Sequence, residues 1–328
     1  MTMAPLPPGR GGLPLLGETL AFAKNPFRFV EERLAAHGRI FRTRVLGRNT
    51  AVLAGPEAAA RFIDGSVVMR EGSMPPHVQE LFGGRSLPLL DGDVHAARKR
   101  VVLQAFTREA LAAYLPSIES TIERSFAKWS GAGEIRWLDE LKALAIEVIC
   151  TTIVGLTPGQ EMDRLRDDYD VLTRGFATLP INFPGTPYRN ALKARDRILS
   201  VLRRIVRERR AKPADDGLSR ILAAAGTSIG DDDLALELHH IVVAGFIVYG
   251  LLVALVRELT DHPEVRARIG DVPRGPLTLE TLASMHYLLQ VVNEVKRLAP
   301  IVPFVFGKSK TAFEFDGVTV PAGWMVLW

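Results

Sequence analysis

From about Asp93 to Glu258 the apolar residues of this chain recur every three or four positions, a spacing that commits the middle of its 328 residues to packed helices. Turn clusters break the pattern where helices must end: Leu156-Thr-Pro-Gly, Phe183-Pro-Gly-Thr-Pro, and the polar run from Pro213 to Gly217. The two ends carry a different period. IFRTRVLGRNTAVLAG alternates as a pair of strands around Gly47-Arg48-Asn49, after helical spacing near Pro26 to His37. At the other end, TAFEFDG and VTVPAGWMVLW flank a hairpin turn at Asp316-Gly317. The expected fold class is mainly α with a small β-sheet, in one domain over 1–328. Within it, about 1–60 forms a mixed helix and strand unit, about 93–300 the helical core, and about 301–328 a β-hairpin.

Composition narrows the function classes. With 47% hydrophobic and 24% charged residues and a formal charge of +4, the chain has the material for a large core and no polyelectrolyte character. The basic run Arg203 to Lys212 reads as a solvated helix face, so no nucleic-acid partner is expected. The proline- and glycine-rich start carries no sustained apolar run, so neither a signal peptide nor a transmembrane segment is expected. One cysteine, Cys150, rules out a disulfide framework and fits a cytoplasmic protein. Its apolar setting, EVICTTIVGL, suits a thiol that packs rather than reacts.

Few titratable groups form a recognisable constellation. Asp163, Asp167 and Asp170 share a helical face and are weak metal candidates, with Mg2+ conceivable if the substrate is a diphosphate. Leu165, Tyr169, Leu172 and Phe176 form an apolar stripe offset from them by about 200°, which sends the aspartates toward water beside Arg164 and Arg166. Asp231-Asp232-Asp233 reads as a helix N-cap and dipole complement. His239 and His240 are adjacent, so they diverge and make no two-histidine metal face. Glu237 is a weak candidate for an initiating acid.

Four segments in order and spacing carry a resemblance: GDVHAARKRVVLQAFTREAL from Gly92, LPINFPGTPYRNALKAR from Leu179, MHYLLQVVNEVKRLAP from Met285, and FDGVTVPAGWMVLW. Together they resemble a cytochrome P-450, closest to the retinoic-acid hydroxylase-like branch, with E-x-x-R at Glu294 and Arg297 as the most specific mark. The resemblance implies a P-450-like fold lacking the C-terminal haem-binding region, with Glu294 and Arg297 as a buried structural pair. It also implies a pocket lined by Phe82, Phe176, Ala244, Gly245, Phe246, Ile247, Val248, Tyr249, Gly250 and Phe304. His95, Arg98, Lys99 and Arg100 match the helix whose basic face meets a haem propionate, and are possible anion-binding residues or a fold-supporting face.

Three departures from the family pattern lead to an expectation of lost haem chemistry. The family's ligand is a cysteine thiolate, and none follows before Trp328. Its proton-relaying acid and threonine are replaced by Ile247 and Val248, which have no proton to give. Its propionate arginine falls at Gly307, and Lys308, one residue along a strand, points the other way. The expected function is therefore a haem-independent, non-oxidative conversion of a hydrophobic terpenoid: cyclisation, isomerisation or elimination, with cation–π help from aromatic walls and no favoured cofactor. Two alternatives stay open, an N-terminal fragment of a haem-thiolate monooxygenase hydroxylating a terpenoid-like substrate and a non-catalytic terpenoid-binding protein. Self-association through an apolar face left bare by the missing C-terminal region is a further expectation.

Overall fold

The two hydrophobic periods of the sequence separate in space. The computed structural model describes residues 4–14, 17–270 and 275–328. It divides into two compact units where one domain was expected: the first holds the chain up to Gln79, Pro88–Ala96 and Val302–Trp328, the second Glu80–Leu87 and Ala97–Ile301.

The first unit is built on a five-stranded sheet from β1 (Ile40–Val45), β2 (Arg48–Leu53), β3 (Val68–Met69), β4 (Phe306–Ser309) and β7 (Met325–Leu327), in the order β1-β2-β7-β4-β3. β7 runs parallel to β2 and antiparallel to β4, so the last described strand is held between the two ends of the chain. Successive residues point to opposite faces. Ala51, Leu53 and Val326 join one apolar cluster with Ile40, Val68 and Phe313, while Val52 and Leu327 join Phe29 and Phe41 on the other. The first hairpin turns at Leu46 and Gly47, earlier than the expected Gly47-Arg48-Asn49, because Arg48 and Asn49 already pair with Val45 and Arg44. Both turn residues have positive φ, 54° and 73°, the pair of left-handed conformations that a two-residue hairpin of matching twist requires. Asp316 and Gly317 make the same turn (φ 52° and 76°) between β5 (Phe313–Phe315) and β6 (Val318–Val320), where the sequence placed it.

The second unit is helical. Helix Gln160–Gly175 lies against helix Pro187–Ala211, and of the predicted stripe Leu165, Tyr169 and Leu172 are buried and Phe176, just past the helix end, is half-buried. The central helix Asp231–Phe246 buries Leu234, Leu238, Ile241, Val242 and Phe246, a helical repeat that faces the largest apolar cluster. The helix turns at Ile247 and Val248 and resumes as Tyr249–Asp261, none of whose residues is fully buried. By length and composition alone, Asp231–Asp261 is apolar enough to cross a membrane. Its first half is a core helix of this unit. Gly245 lets the central helix meet the helix ending at Ile149, since a Cβ there would sit 2.6 Å from Ile149 Cγ1. Asp231, Asp232 and Asp233 occupy the first turn as a dipole complement, but the cap itself is Gly230 with no side-chain cap bond. The aspartates instead meet Arg210, Arg203 and Arg98. Those first two arginines belong to the basic run of helix Pro187–Ala211, whose charges are thereby paired rather than massed.

His239 and His240 are interior groups. His239 Nε2 lies 3.1 Å from the Leu81 carbonyl and Nδ1 3.3 Å from the Tyr169 hydroxyl, while His240 Nδ1 is buried with no hydrogen-bond partner. Burial pushes both imidazoles down to about 4. A histidine held neutral in the folded state takes up its proton on unfolding, so stability is full above the unfolded value of about 6.5 and falls as pH drops toward 4. Urea denaturation across pH 7 to 4 should show stability falling in that window by several kcal/mol. His240→Leu should flatten the slope, and an unchanged slope would remove His240 as a contributor.

Candidate active site

Two turns of the central helix hold most of the predicted pocket residues, and the structure sorts them by side. Phe246 is fully buried, 5.2 Å from the Tyr249 ring and 6.2 Å from the Tyr169 ring by centroids. It is a core residue and not a pocket wall. Ile247 and Tyr249 are partly buried against the same cluster, and Lys142 Nζ stands 5.2 Å from the Tyr249 ring centroid. Ala244 and Gly250 are exposed, with Gly245 and Val248 between these extremes. Phe82 and Phe176 stack on each other at 5.1 Å, with His240 edge-on to Phe82 at 6.2 Å. Phe304 belongs to the first unit, where it packs on Phe22 and Phe27 at 5.7 Å. Within the second unit, Phe82 and Phe176 are brought together and Phe246 belongs to the core.

The helix Gly92–Val102 does not present one basic face either. Lys99 and Arg100 are exposed and His95 is half-buried, but Arg98 turns inward to 7% exposure. Its Nη1 donates to Glu237 Oε1 at 2.9 Å and to the Arg85 carbonyl at 3.0 Å, and its Nη2 pairs with Asp233. The second Glu237 oxygen accepts from the Leu87 backbone N–H at 2.9 Å. Burial pushes the Glu237 carboxyl up from its ordinary value, against the pull of Arg98 and the Leu87 N–H. Both oxygens are engaged, so Glu237 is a structural partner rather than an initiating acid, and Arg98 is committed to it rather than to an anionic ligand. Sequence reasoning missed this pairing. Its available signal was the i, i+4 placement of Asp233 and Glu237, which puts two carboxylates on one helix face.

The remaining candidates also meet ordinary partners. Asp163 and Asp167 pair with Arg166, and Asp170 pairs with Lys142 and Arg174. No group of three or more His, Cys, Asp or Glu among the described residues is placed to hold a metal. Glu294 and Arg297 do form the expected pair, with Arg297 Nη2 donating to Glu294 Oε1 at 2.6 Å. They are more than half exposed, however, so this is a solvent-facing pair and not the buried brace that was expected.

Three comparisons bear on this geometry. The model of the cytochrome P450 family matches residues 7–328. Abscisic acid 8'-hydroxylase 1 of Oryza sativa subsp. japonica is 29% identical over 98% of this chain and 71% of its own length. Abscisic acid 8'-hydroxylase 2 of Oryza sativa subsp. indica is 30% identical over 98% and 68%. Among solved structures, retinoic acid bound cyanobacterial CYP120A1 superposes with a TM-score of 0.90 at 29% identity, covering 99% of this chain and 76% of that one.

The family and these relatives are haem-binding monooxygenases, which overturns the expectation of an enzyme without haem: haem is the cofactor to expect. Cys150 is fully buried and burial pushes its thiol up to about 12, so it is no thiolate open to a metal. A side chain at Gly307 would begin 2.4 Å from Val68 Cγ1 and 2.9 Å from Phe62 Cε2, so that position has no room for the family's arginine. Arg98 is already spent on Glu237. Cys150, Gly307 and Arg98 thus offer haem neither a ligand nor a propionate partner. The fold match spans nearly every residue all the same: the chain belongs to the cytochrome P450 family.

Proposed function

We propose that this chain serves a haem-dependent monooxygenase that hydroxylates a hydrophobic, terpenoid-type substrate. The observation that carries the reading is the agreement of two independent likenesses. The sequence relatives are hydroxylases of abscisic acid, and a structure that superposes with a TM-score of 0.90 at 29% identity was solved with retinoic acid bound. Both named acids are isoprenoid in skeleton, and the half-buried stacked pair of Phe82 and Phe176 gives this chain apolar surface of the matching kind.

Hydroxylation converts a C–H bond to C–OH with one oxygen atom of O2; the other leaves as water, consuming two electrons from a reductant and two protons. Ile247 and Val248 carry no proton to give, so the two protons would have to arrive by a route other than these side chains. The same two residues are the one observation that favours a second reading, a conversion that leaves the oxidation state of the substrate unchanged. The two readings differ in product mass.

Incubation of the full protein with haem, an electron-transfer partner and retinoic or abscisic acid should give a product heavier by one oxygen atom. An isomer of unchanged mass would favour the second reading, and recovery of unaltered substrate would refute both for these acids. Changing Ile247→Asp together with Val248→Thr should raise the yield of oxygenated product about tenfold or more, since positioned proton donors contribute at least about 100-fold in favourable cases. Cys150→Ser should leave the carbon monoxide spectrum of the reduced, haem-loaded protein unaltered; loss of a thiolate-type band in that variant would place Cys150 on iron after all.

A further inference from the structure

The second unit carries an aromatic patch that its own core does not use. Helix Arg108–Ser130 has no buried residue beyond Thr121, although its last two turns hold Phe126 and Trp129. Helix Trp137–Ile149 repeats this in reverse: its first buried residue is Leu141, and Trp137 and Leu138 before it are each 40% exposed. The rings pack on each other instead. Phe126, 57% exposed, lies 5.0 Å from the Trp129 ring, and Trp129 stands 5.3 Å edge-on from Trp137, by centroids. The middle ring is fixed in place: Trp129 Nε1 donates to Glu140 Oε2 at 2.6 Å, and Lys128 Nζ donates to both oxygens of the same carboxylate at 2.7 and 2.8 Å.

Aromatic side chains left in water forgo the burial they ordinarily find, and a fixed cluster of them among polar groups has the anatomy of an association site. Tryptophan is among the residues that carry most of the binding energy at such sites, and rings already held in place lose little freedom on docking. The surrounding charges decide the partner. The two helix ends and the loop between them expose Glu123, Glu134 and Asp139 on the acidic side and Arg124, Lys128 and Arg136 on the basic side. Equal numbers of the two signs give no net attraction for a polyanion or for a strongly acidic or basic protein. They suit a surface of the same composition: in a two-fold contact the patch meets itself, so each sign has its opposite available in the copy. Arg136 and Asp139, 79% and 57% exposed and joined within the chain at 3.4 Å, are the pair free to exchange partners across such an axis.

We propose that the patch of Phe126, Trp129 and Trp137 is a dimer interface, with a second copy of this chain as its occupant. Phe126 and Trp137 of each copy form the apolar centre, and Arg136 of each copy meets Asp139 of the other. A centre of three rings makes a small contact, so the association is reversible and falls in the micromolar range.

The test is sedimentation equilibrium of the full protein over a wide range of concentration. The wild-type protein should show a single monomer–dimer equilibrium. Phe126→Ala and Trp137→Ala, both at exposed positions, should each raise the dissociation constant about tenfold or more, with circular dichroism checking that each variant is folded. Arg136→Asp and Asp139→Arg should each weaken the dimer about tenfold by setting like charges together, and the double variant should recover most of that loss. Indiscriminate adhesion of aromatic surfaces gives no such recovery, so its absence would overturn the two-fold pairing. A monomer throughout the range, a dimer indifferent to both aromatic substitutions, or species that keep growing beyond the dimer would each overturn the interface. Leu298→Ser, on a separate exposed apolar surface, should leave the equilibrium unchanged. Loss of the dimer in that variant alone would assign self-association to the surface of Leu298 and remove the aromatic patch from it.

Discussion

A guanidinium buried at Arg98 fixes the architecture around it, because a charge removed from water must be neutralised and hydrogen-bonded where it lies. Asp233 and Glu237, one turn apart on the central helix, supply the neutralisation, and the Arg85 carbonyl takes a further N–H. Glu237 then fixes the Leu87 backbone through its other oxygen. The Arg85–Leu87 segment and Arg98 are thereby locked to one face of a helix that lies far along the chain. Removing one partner from a buried pair typically costs about 3–5 kcal/mol, which exceeds what any exposed ion pair on this molecule could return. The central helix is thus held at its charged beginning by electrostatics and along its middle by apolar packing, while its far half, beyond Val248, is held by neither to the same degree.

The fold was largely legible because its two hydrophobic periods do not overlap. Alternation at Ile40–Leu53 and at Phe313–Leu327 gave strands, and the three-to-four spacing of Leu165, Tyr169 and Leu172 gave a buried helix face. Long-range pairing was not legible. Nothing in MVLW announces that Met325–Leu327 inserts between Arg48–Leu53 and Phe306–Ser309, since period two specifies faces but not neighbours. For the same reason, the joining of Val302–Trp328 to the N-terminal segment in one compact unit depends on which distant segments share a sheet.

The candidate site was less legible than the fold, for a different physical reason. A residue's role depends on whether its charge finds a partner inside the protein, and sequence spacing reports only neighbours on the same element. Arg98 looked like part of a basic face with Lys99 and Arg100 until Asp233 and Glu237, more than 130 positions later, claimed it. Glu237 looked like a free acid for the same reason. Glu294 and Arg297 erred in the other direction: their spacing correctly gave the pair, but spacing carries no information about burial.

The departures from the family pattern invited a stronger conclusion than they can bear. Gly307 was read as an arginine lost, and with it a hold on haem. In the structure the space above Gly307 is filled by Val68 and Phe62, and the space above Gly245 by Ile149, so each small residue is matched by a bulky neighbour placed against it. Such packing is a property of the fold's own core, where an added methylene forces rotamer and backbone shifts costing roughly 1–3 kcal/mol. A substitution absorbed in this way reports how the interior was rebuilt, and it leaves the choice of cofactor to evidence that spans the chain. That evidence is a family match from residue 7 to residue 328, which includes the very positions that differ. Local departures and global likeness are therefore compatible: the first describe how this chain packs, and the second identifies the family to which it belongs.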